Sequence, residues 1–198
     1  MILYNSAISG NCYKVRLLLA QLGLTAELRE LDVVDRSNRP AVLGSLNPAL
    51  RVPTLILDDG RAIAESNAIL WWLGDGTEFV PADRFERAQV LQWQFFEQYD
   101  HEPNIAVARF WLLKRPDDVD PEKLAGWQAA GHRVIGAMEQ HLEGREFLVG
   151  NGYTLADISL YAYTHVAPEG GISLDAYPAV RAWIERVAAQ PGHIPITA

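Results

Sequence analysis

Cysteine is nearly absent from this chain. The 198 residues include one, Cys12. No intrachain disulfide can form, and the composition fits a reducing compartment, so a cytoplasmic location is expected. Long apolar runs are also missing. None approaches the roughly 20 residues of a membrane span, and Met1-Ile2-Leu3-Tyr4 lacks the basic and apolar regions of a signal peptide. Positive charge is scarce: 17 Lys and Arg stand against 25 Asp and Glu, a net charge of −8. Without a basic stripe, neither nucleic acid nor a membrane is expected as a partner. The histidines (His101, His132, His141, His165 and His193) are scattered, and none stands at ligand spacing from cysteine or another histidine. No metal site is expected.

Apolar patterning is plentiful. Apolar residues make up 49% of the chain, enough for one large domain or two small ones. The first part alternates strand and helix signals. Ile2-Leu3-Tyr4 reads as a strand. Val15, Leu18, Leu19 and Leu22 repeat at helical spacing and end at Gly23. Residues 26–33 read as a second strand, and a short helix is expected to end near Leu46. Asp58-Asp59-Gly60 between Thr54–Leu57 and Arg61–Ile63 signals a hairpin. Ser66, Ile69, Leu70 and Leu73 give a further helix. The order is β-α-β-α-β-β-α, with the first two strands parallel and the last two antiparallel.

After Pro81 the pattern is helical throughout, including a long helix expected to run to Leu113 with an irregularity at Pro103. The expected domains are residues 1–76, a linker 77–84 and an all-helical domain 85–198. Thr154-Leu155-Ala156-Asp157 reads as a capping box, a structural role.

Two segments point to a ligand. In Arg51-Val52-Pro53-Thr54, a proline stands at the entry to a strand, where it costs no ladder hydrogen bond. In Ala64-Glu65-Ser66-Asn67, an acid and a hydroxyl stand at a helix start, where free N–H groups attract a carboxylate. Together they suggest a pocket for an amino-acid-like ligand. Backbone would pair beside Pro53, Glu65 would take an ammonium, and Ser66 would take a carboxylate.

Ser9-Gly10-Asn11-Cys12-Tyr13-Lys14-Val15-Arg16, Asn47 to Pro53, Glu65-Ser66 and Thr154 to Asp157 follow one another in that order. This ordered set resembles the soluble glutathione transferase family over essentially the whole chain, in particular its bacterial serine- and cysteine-type members. The resemblance implies a thioredoxin-like N-terminal domain followed by an all-α helical bundle. It further implies a cis Pro53, a Val52 backbone that pairs with the cysteinyl part of glutathione, and Glu65 and Ser66 at its γ-glutamyl end. Arg51 would face the glycyl carboxylate, or be a solvated charge.

Under this resemblance Ser9 would donate a hydrogen bond to the glutathione sulfur and stabilise its thiolate, the helix N-terminus adding to the effect. Its other reading is the N-cap of that helix. Asn11 would donate to the sulfur or cap the helix. Cys12 would form a mixed disulfide with glutathione or pack as a small apolar residue. Tyr13, Tyr99, Phe110 and Trp111 would line an electrophile pocket or belong to the core, and Arg109 would bind an acidic second substrate. The implied function is detoxifying transfer of glutathione, as co-substrate, to a hydrophobic electrophile by a homodimer. The alternatives are a glutathione-dependent peroxidase or disulfide reductase, and a non-catalytic glutathione-binding module.

Overall fold

The computed structural model describes residues 1–198. They form two compact units: Met1–Thr77 together with Pro191–Ala198, and Glu78–Gln190.

The first unit contains β1 (Ile2–Asn5), α1 (Gly10–Gln21), β2 (Glu27–Glu30), α2 (Arg39–Leu43), β3 (Thr54–Ile56), β4 (Ala62–Ala64) and α3 (Ser66–Gly74). Its four strands lie in the order β2-β1-β3-β4. β1 runs parallel to β2, as their helical crossover requires, and antiparallel to β3, while β3 and β4 form the hairpin. This is the thioredoxin-like arrangement. Leu3, Leu17, Leu18, Leu55, Ile69 and Leu70 are fully buried at its centre. Tyr4, Leu31 and Leu43 form a second cluster with Val52 and Ile56.

β2 is shorter than the expected 26–33. Its residues are all exposed at the sheet edge, where the charges of Glu27, Arg29 and Glu30 oppose further pairing. After α1, Gly23 takes φ +64, and Leu24 N–H bonds the Leu19 carbonyl at 2.8 Å, closing the helix end.

α1 is buried almost all round, from Gly10 to Leu19 with Asn11 half-exposed, so even Lys14 and Arg16 lie inside. Arg16 Nη2 donates to the Ile196 carbonyl at 2.6 Å, and the Tyr13 hydroxyl to that of Ile194 at 2.7 Å. The expected helical domain included residues 191–198. The structure assigns them to the first unit, because these buried donors need acceptors and the final segment supplies its carbonyls. Gly192, at φ +71, permits the approach: a Cβ there would stand 2.9 Å from Gln21 Cα.

The second unit holds α4 (Arg84–Phe96), a π-helical turn (Glu97–His101), α5 (Glu102–Lys114), α6 (Pro121–Leu142), α7 (Leu155–Thr164), a 3₁₀ turn (Ala167–Gly170) and α8 (Pro178–Ala188). The expected irregularity near Pro103 is this π turn. Proline lacks the N–H for the i−4 bond and its ring crowds that carbonyl, and a wider turn just before it absorbs the misfit. No helix is long and apolar enough to cross a membrane.

α7 is buried along its whole length. Its start rests on Asp157, whose carboxylate accepts from Thr154 N at 2.9 Å, Thr154 Oγ1 at 3.1 Å, Leu148 N at 3.0 Å and Trp183 Nε1 at 2.9 Å. Burial pushes the Asp157 carboxyl up, and these donors oppose the shift.

Candidate functional site

The N-terminus of α1 carries the first candidates. Ser9 is its N-cap, in extended conformation, and the Ser9 Oγ accepts from Cys12 N at 3.3 Å. The cap uses an oxygen lone pair, and the same side chain hydrogen-bonds the Cys12 thiol, favouring its charged form. The loop before Ser9 is held from below by Arg16, which donates to Asn5 Oδ1 at 2.6 Å, the Ser6 carbonyl at 3.4 Å and the Ala7 carbonyl at 3.1 Å. Glu30 answers from β2, accepting from Asn5 Nδ2 and, at 3.0 Å, from Ala7 N.

The loop before β3 carries the second group. The Val52–Pro53 peptide bond is cis. Val52 lies outside the ladder, whose register begins at Thr54, so its peptide groups are not committed to strand pairing. Asn47 clamps this loop: its Nδ2 donates to the Arg51 carbonyl and to Thr54 Oγ1, both at 3.0 Å. Thr54 Oγ1 donates to the same Arg51 carbonyl at 2.9 Å. The Arg51 side chain is exposed.

The third group opens α3. Glu65 is the residue before the helix and has φ +68, a left-handed conformation that costs a non-glycine residue on the order of 1–3 kcal/mol. It exposes the carboxylate, while Ser66 is buried in the first turn. Ser66 Oγ donates to Asn11 Oδ1 at 3.2 Å, so the N-termini of α1 and α3 meet. Lys14 joins them, with Nζ 2.7 Å from Asn11 Oδ1 and 3.4 Å from Ser66 Oγ. Two helix N-termini at one place favour a ligand with separate negative charges.

Four other candidates are engaged elsewhere. Cys12 is fully buried, its sulfur accepting from Ser6 N at 3.3 Å. Burial pushes its thiol up to about 11, against the smaller opposing effects of Ser9, Ser6 and Arg16. A thiol so placed is a packed core group and not an available thiolate. Tyr13 is fully buried, its hydroxyl donating to the Ile194 carbonyl at 2.7 Å. Arg109 is buried and paired with Glu169 at 2.6 Å, which occupies the charge that an acidic substrate would need. Trp111 stacks on Trp127, with centroids 6.5 Å apart.

Sequence reading missed Asn47 as a loop clamp, the buried roles of Asn5, Lys14 and Arg16, and the exposed Glu30 that answers Asn5 and Ala7. Asn47 had a local signal, an Asx residue before proline. The partners of the other four are not visible from spacing.

The pattern of the glutathione S-transferase N-terminal domain matches residues 8–75, and that of the glutathione S-transferase C-terminal domain matches residues 104–191. The chain belongs to the glutathione S-transferase family. Among glutathione S-transferases of known structure, one from Pseudomonas fluorescens [Pf-5] superimposes with a TM-score of 0.96 at 44% identity, over 99% of this chain and 98% of that one. The chain is 30% identical to glutathione S-transferase 3 of Zea mays, over 96% of this chain and 89% of the relative. It is 28% identical to the disulfide-bond oxidoreductase YfcG of Escherichia coli (strain K12), over 91% and 87% respectively. The N-terminal match spans every glutathione S-transferase site candidate from Ser9 to Ser66.

Proposed function

We propose that the protein binds glutathione, activates its thiol and transfers it to a hydrophobic electrophile. The observation that carries this reading is the hydrogen bond between Asn11 and Ser66, which brings two helix N-termini to one place. Glutathione offers the matching charges, a glutamyl carboxylate and a thiolate. Ser66 takes the carboxylate and Glu65 the ammonium. The Val52 backbone pairs with the cysteinyl residue beside Pro53, and Arg51 faces the glycyl carboxylate. The Ser9 hydroxyl and the Asn11 amide donate to the sulfur. Moving a thiol from its free pKa of about 8.5 down by roughly 2 units takes about 2.7 kcal/mol, within reach of two hydrogen bonds and a helix terminus. The thiolate then attacks an electrophilic carbon, a C–S bond forms, and the leaving group departs with its electron pair.

The test is conjugation of glutathione to chlorodinitrobenzene by wild type, Ser9→Ala and Asn11→Ala. Each variant is expected to lose on the order of 10²-fold in kcat/KM at neutral pH, with a higher apparent thiol pKa. Activity that survives both substitutions would remove them from the mechanism.

A second reading is favoured by the likeness to a disulfide-bond oxidoreductase. In it the same bound thiolate attacks a disulfide sulfur, forming a mixed disulfide and releasing the other half as thiolate. The burial of Cys12 makes glutathione, not the protein, the attacking thiol. A coupled assay for oxidised glutathione, run on wild type and Cys12→Ser, tests it: equal turnover by the two is expected.

A cytoplasmic homodimer acting in detoxification completes the proposal. Trp72 in the first unit is 46% exposed, and Phe85, Phe95 and Tyr99 in the second are 70%, 69% and 84% exposed. Large aromatic side chains left in solvent to this degree favour a partner surface. Sedimentation at micromolar concentration is expected to give twice the chain mass.

A further inference from the structure

Arg39 is the first residue of α2 and is 3% exposed. Its guanidinium makes two hydrogen bonds, both to main-chain oxygens. Nη2 donates to the Asp32 carbonyl at 2.8 Å, just beyond β2, and Nη1 donates to the Leu50 carbonyl at 2.9 Å. Nε is buried with no hydrogen-bond partner. Burial pulls the Arg39 pKa down, nearby Arg36 and Arg51 add to the shift, and Asp32 is among the groups that oppose it. An uncharged residue would pack there with less penalty. The reason for an arginine lies in what its planar fork holds, two segments at once.

Leu50 is the residue held. It has φ +55, a left-handed conformation that a leucine seldom adopts. Such a conformation persists only where the surroundings fix it. Three contacts do so. Leu50 N donates to the Asn47 carbonyl at 2.9 Å, the side chain packs against the cluster of Tyr4, Leu31 and Leu43, and the carbonyl accepts from Arg39.

The carbonyl of one residue and the N–H of the next share a rigid plane. Arg39 therefore sets the plane of the Leu50–Arg51 peptide. The next oxygen, that of Arg51, accepts from Asn47 Nδ2 at 3.0 Å and Thr54 Oγ1 at 2.9 Å, which sets the Arg51–Val52 peptide. With both planes held, the φ and ψ of Arg51 are held too. So is the direction in which its exposed side chain leaves the loop. Loss of Arg39 would free the first plane and leave the second, which carries the Val52 N–H, in place.

We propose that Arg39 is a positioning residue that aims Arg51 at the glycyl carboxylate of glutathione. It governs specificity for that carboxylate and leaves the cysteinyl pairing at Val52 undisturbed. This inference rests on the proposed glutathione site, and the experiment separates the two.

The experiment is calorimetric titration at neutral pH with glutathione and with its glycyl ethyl ester, which keeps the glutamyl and cysteinyl parts and lacks the glycyl charge. Wild type, Arg51→Ala, Arg39→Met and Arg39→Lys are compared, each with a thermal melt. Wild type is expected to prefer glutathione to the ester by about tenfold, the size of one charge-assisted contact. Arg51→Ala is expected to bind the two ligands within about twofold of each other. Arg39→Met is expected to lose the preference to the same degree while binding the ester within about twofold of wild type, a pattern that general loosening of the fold would not produce. Arg39→Lys keeps the charge without the fork and is expected to lose the preference as well.

Either Arg39 variant, folded and with the preference of wild type, overturns the proposal. So does an equal weakening of both ligands, which makes Arg39 a general support of the loop. If Arg39→Met has no cooperative melt, Arg39→Lys decides by the same criteria, and failure of both to fold makes Arg39 a structural residue and overturns the proposal. Equal affinity of wild type for the two ligands, or an undiminished preference in Arg51→Ala, removes Arg51 from the glycyl carboxylate and overturns the inference while leaving glutathione binding intact. Absence of binding by wild type overturns the glutathione site itself, and with it the basis for the role of Arg39.

Discussion

The guanidinium of Arg16 donates to the main-chain oxygen of Ile196 at 2.6 Å, across 180 residues of sequence. The same group holds Asn5, Ser6 and Ala7, so one buried cation ties the final segment to the loop that leads into Ser9. Burial pulls the Arg16 pKa down, and Glu30 is among the groups that oppose the shift.

Replacing Arg16 with methionine keeps the volume and removes every donor. The carbonyls of Ser6, Ala7 and Ile196 lose their partner, and the carboxylate of Glu30 loses a neighbouring positive charge. A loss of about 3–5 kcal/mol is expected, as when one member of a buried charge network is removed. Urea denaturation of the two proteins measures it. A loss below about 1 kcal/mol would show that the network contributes little.

Cys12 sets an alkaline limit. Its thiol rises from an ordinary 9.0 to about 11 in the folded chain. The unfolded chain therefore gives up this proton first. The stabilisation is whole below pH 9 and is lost as pH climbs through 11. The loss amounts to about 2.7 kcal/mol for a shift of roughly 2 units. Cys12→Ala is expected to lack this part of the pH dependence when the two are compared by denaturation between pH 8 and 11. At pH 8 the native thiol is expected to resist a disulfide reagent that labels it at once in urea.

Asp157 gathers four donors in the second unit, from Thr154, Leu148 and Trp183. Asp157→Ala leaves them without an acceptor in a site with no water-facing surface. A destabilisation of at least about 3 kcal/mol is expected, with failure to accumulate at 37 °C as its cellular form. Asp157→Asn keeps the shape and an acceptor oxygen and is expected to lose less. Equal losses in the two variants would contradict this account.

Asn47→Ala removes the clamp on Arg51 and Thr54. The fold is expected to lose about 1–2 kcal/mol. The glutathione KM is expected to rise severalfold with kcat nearly unchanged, because the loop places peptide groups and not the sulfur. A lower kcat at constant KM would assign Asn47 to another role.

What the sequence displayed clearly was local. Asp58-Asp59-Gly60 marked a hairpin and Gly23 a helix end. Thr154 and Asp157 marked a helix start, and Pro103 marked a break that became a π turn. Each such signal acts through bonds within a few residues. The order of Ser9, Pro53 and Ser66 likewise pointed to the family, because motif spacing survives in one dimension. Lys14 and Arg16 were not legible in the same way. A charge on an amphipathic pattern reads as a solvated face, yet α1 is enclosed nearly all round. Their partners, Ser66 and Ile196, come from distant segments. For Cys12 two readings stood open, a mixed disulfide with glutathione and a packed small apolar residue, and its complete burial favours the second.

The first unit is split in sequence, and this orders its assembly during synthesis. Residues 191–198 leave the ribosome after every residue of the second unit. Until then a nascent first unit holds the Arg16 guanidinium and the Tyr13 hydroxyl without the Ile196 and Ile194 carbonyls. The helical unit is meanwhile complete in a continuous stretch and has every partner that Asp157 needs. On a translating chain the helical unit can therefore finish first, with the buried Arg16 and Tyr13 gaining these two acceptors only when the final segment docks.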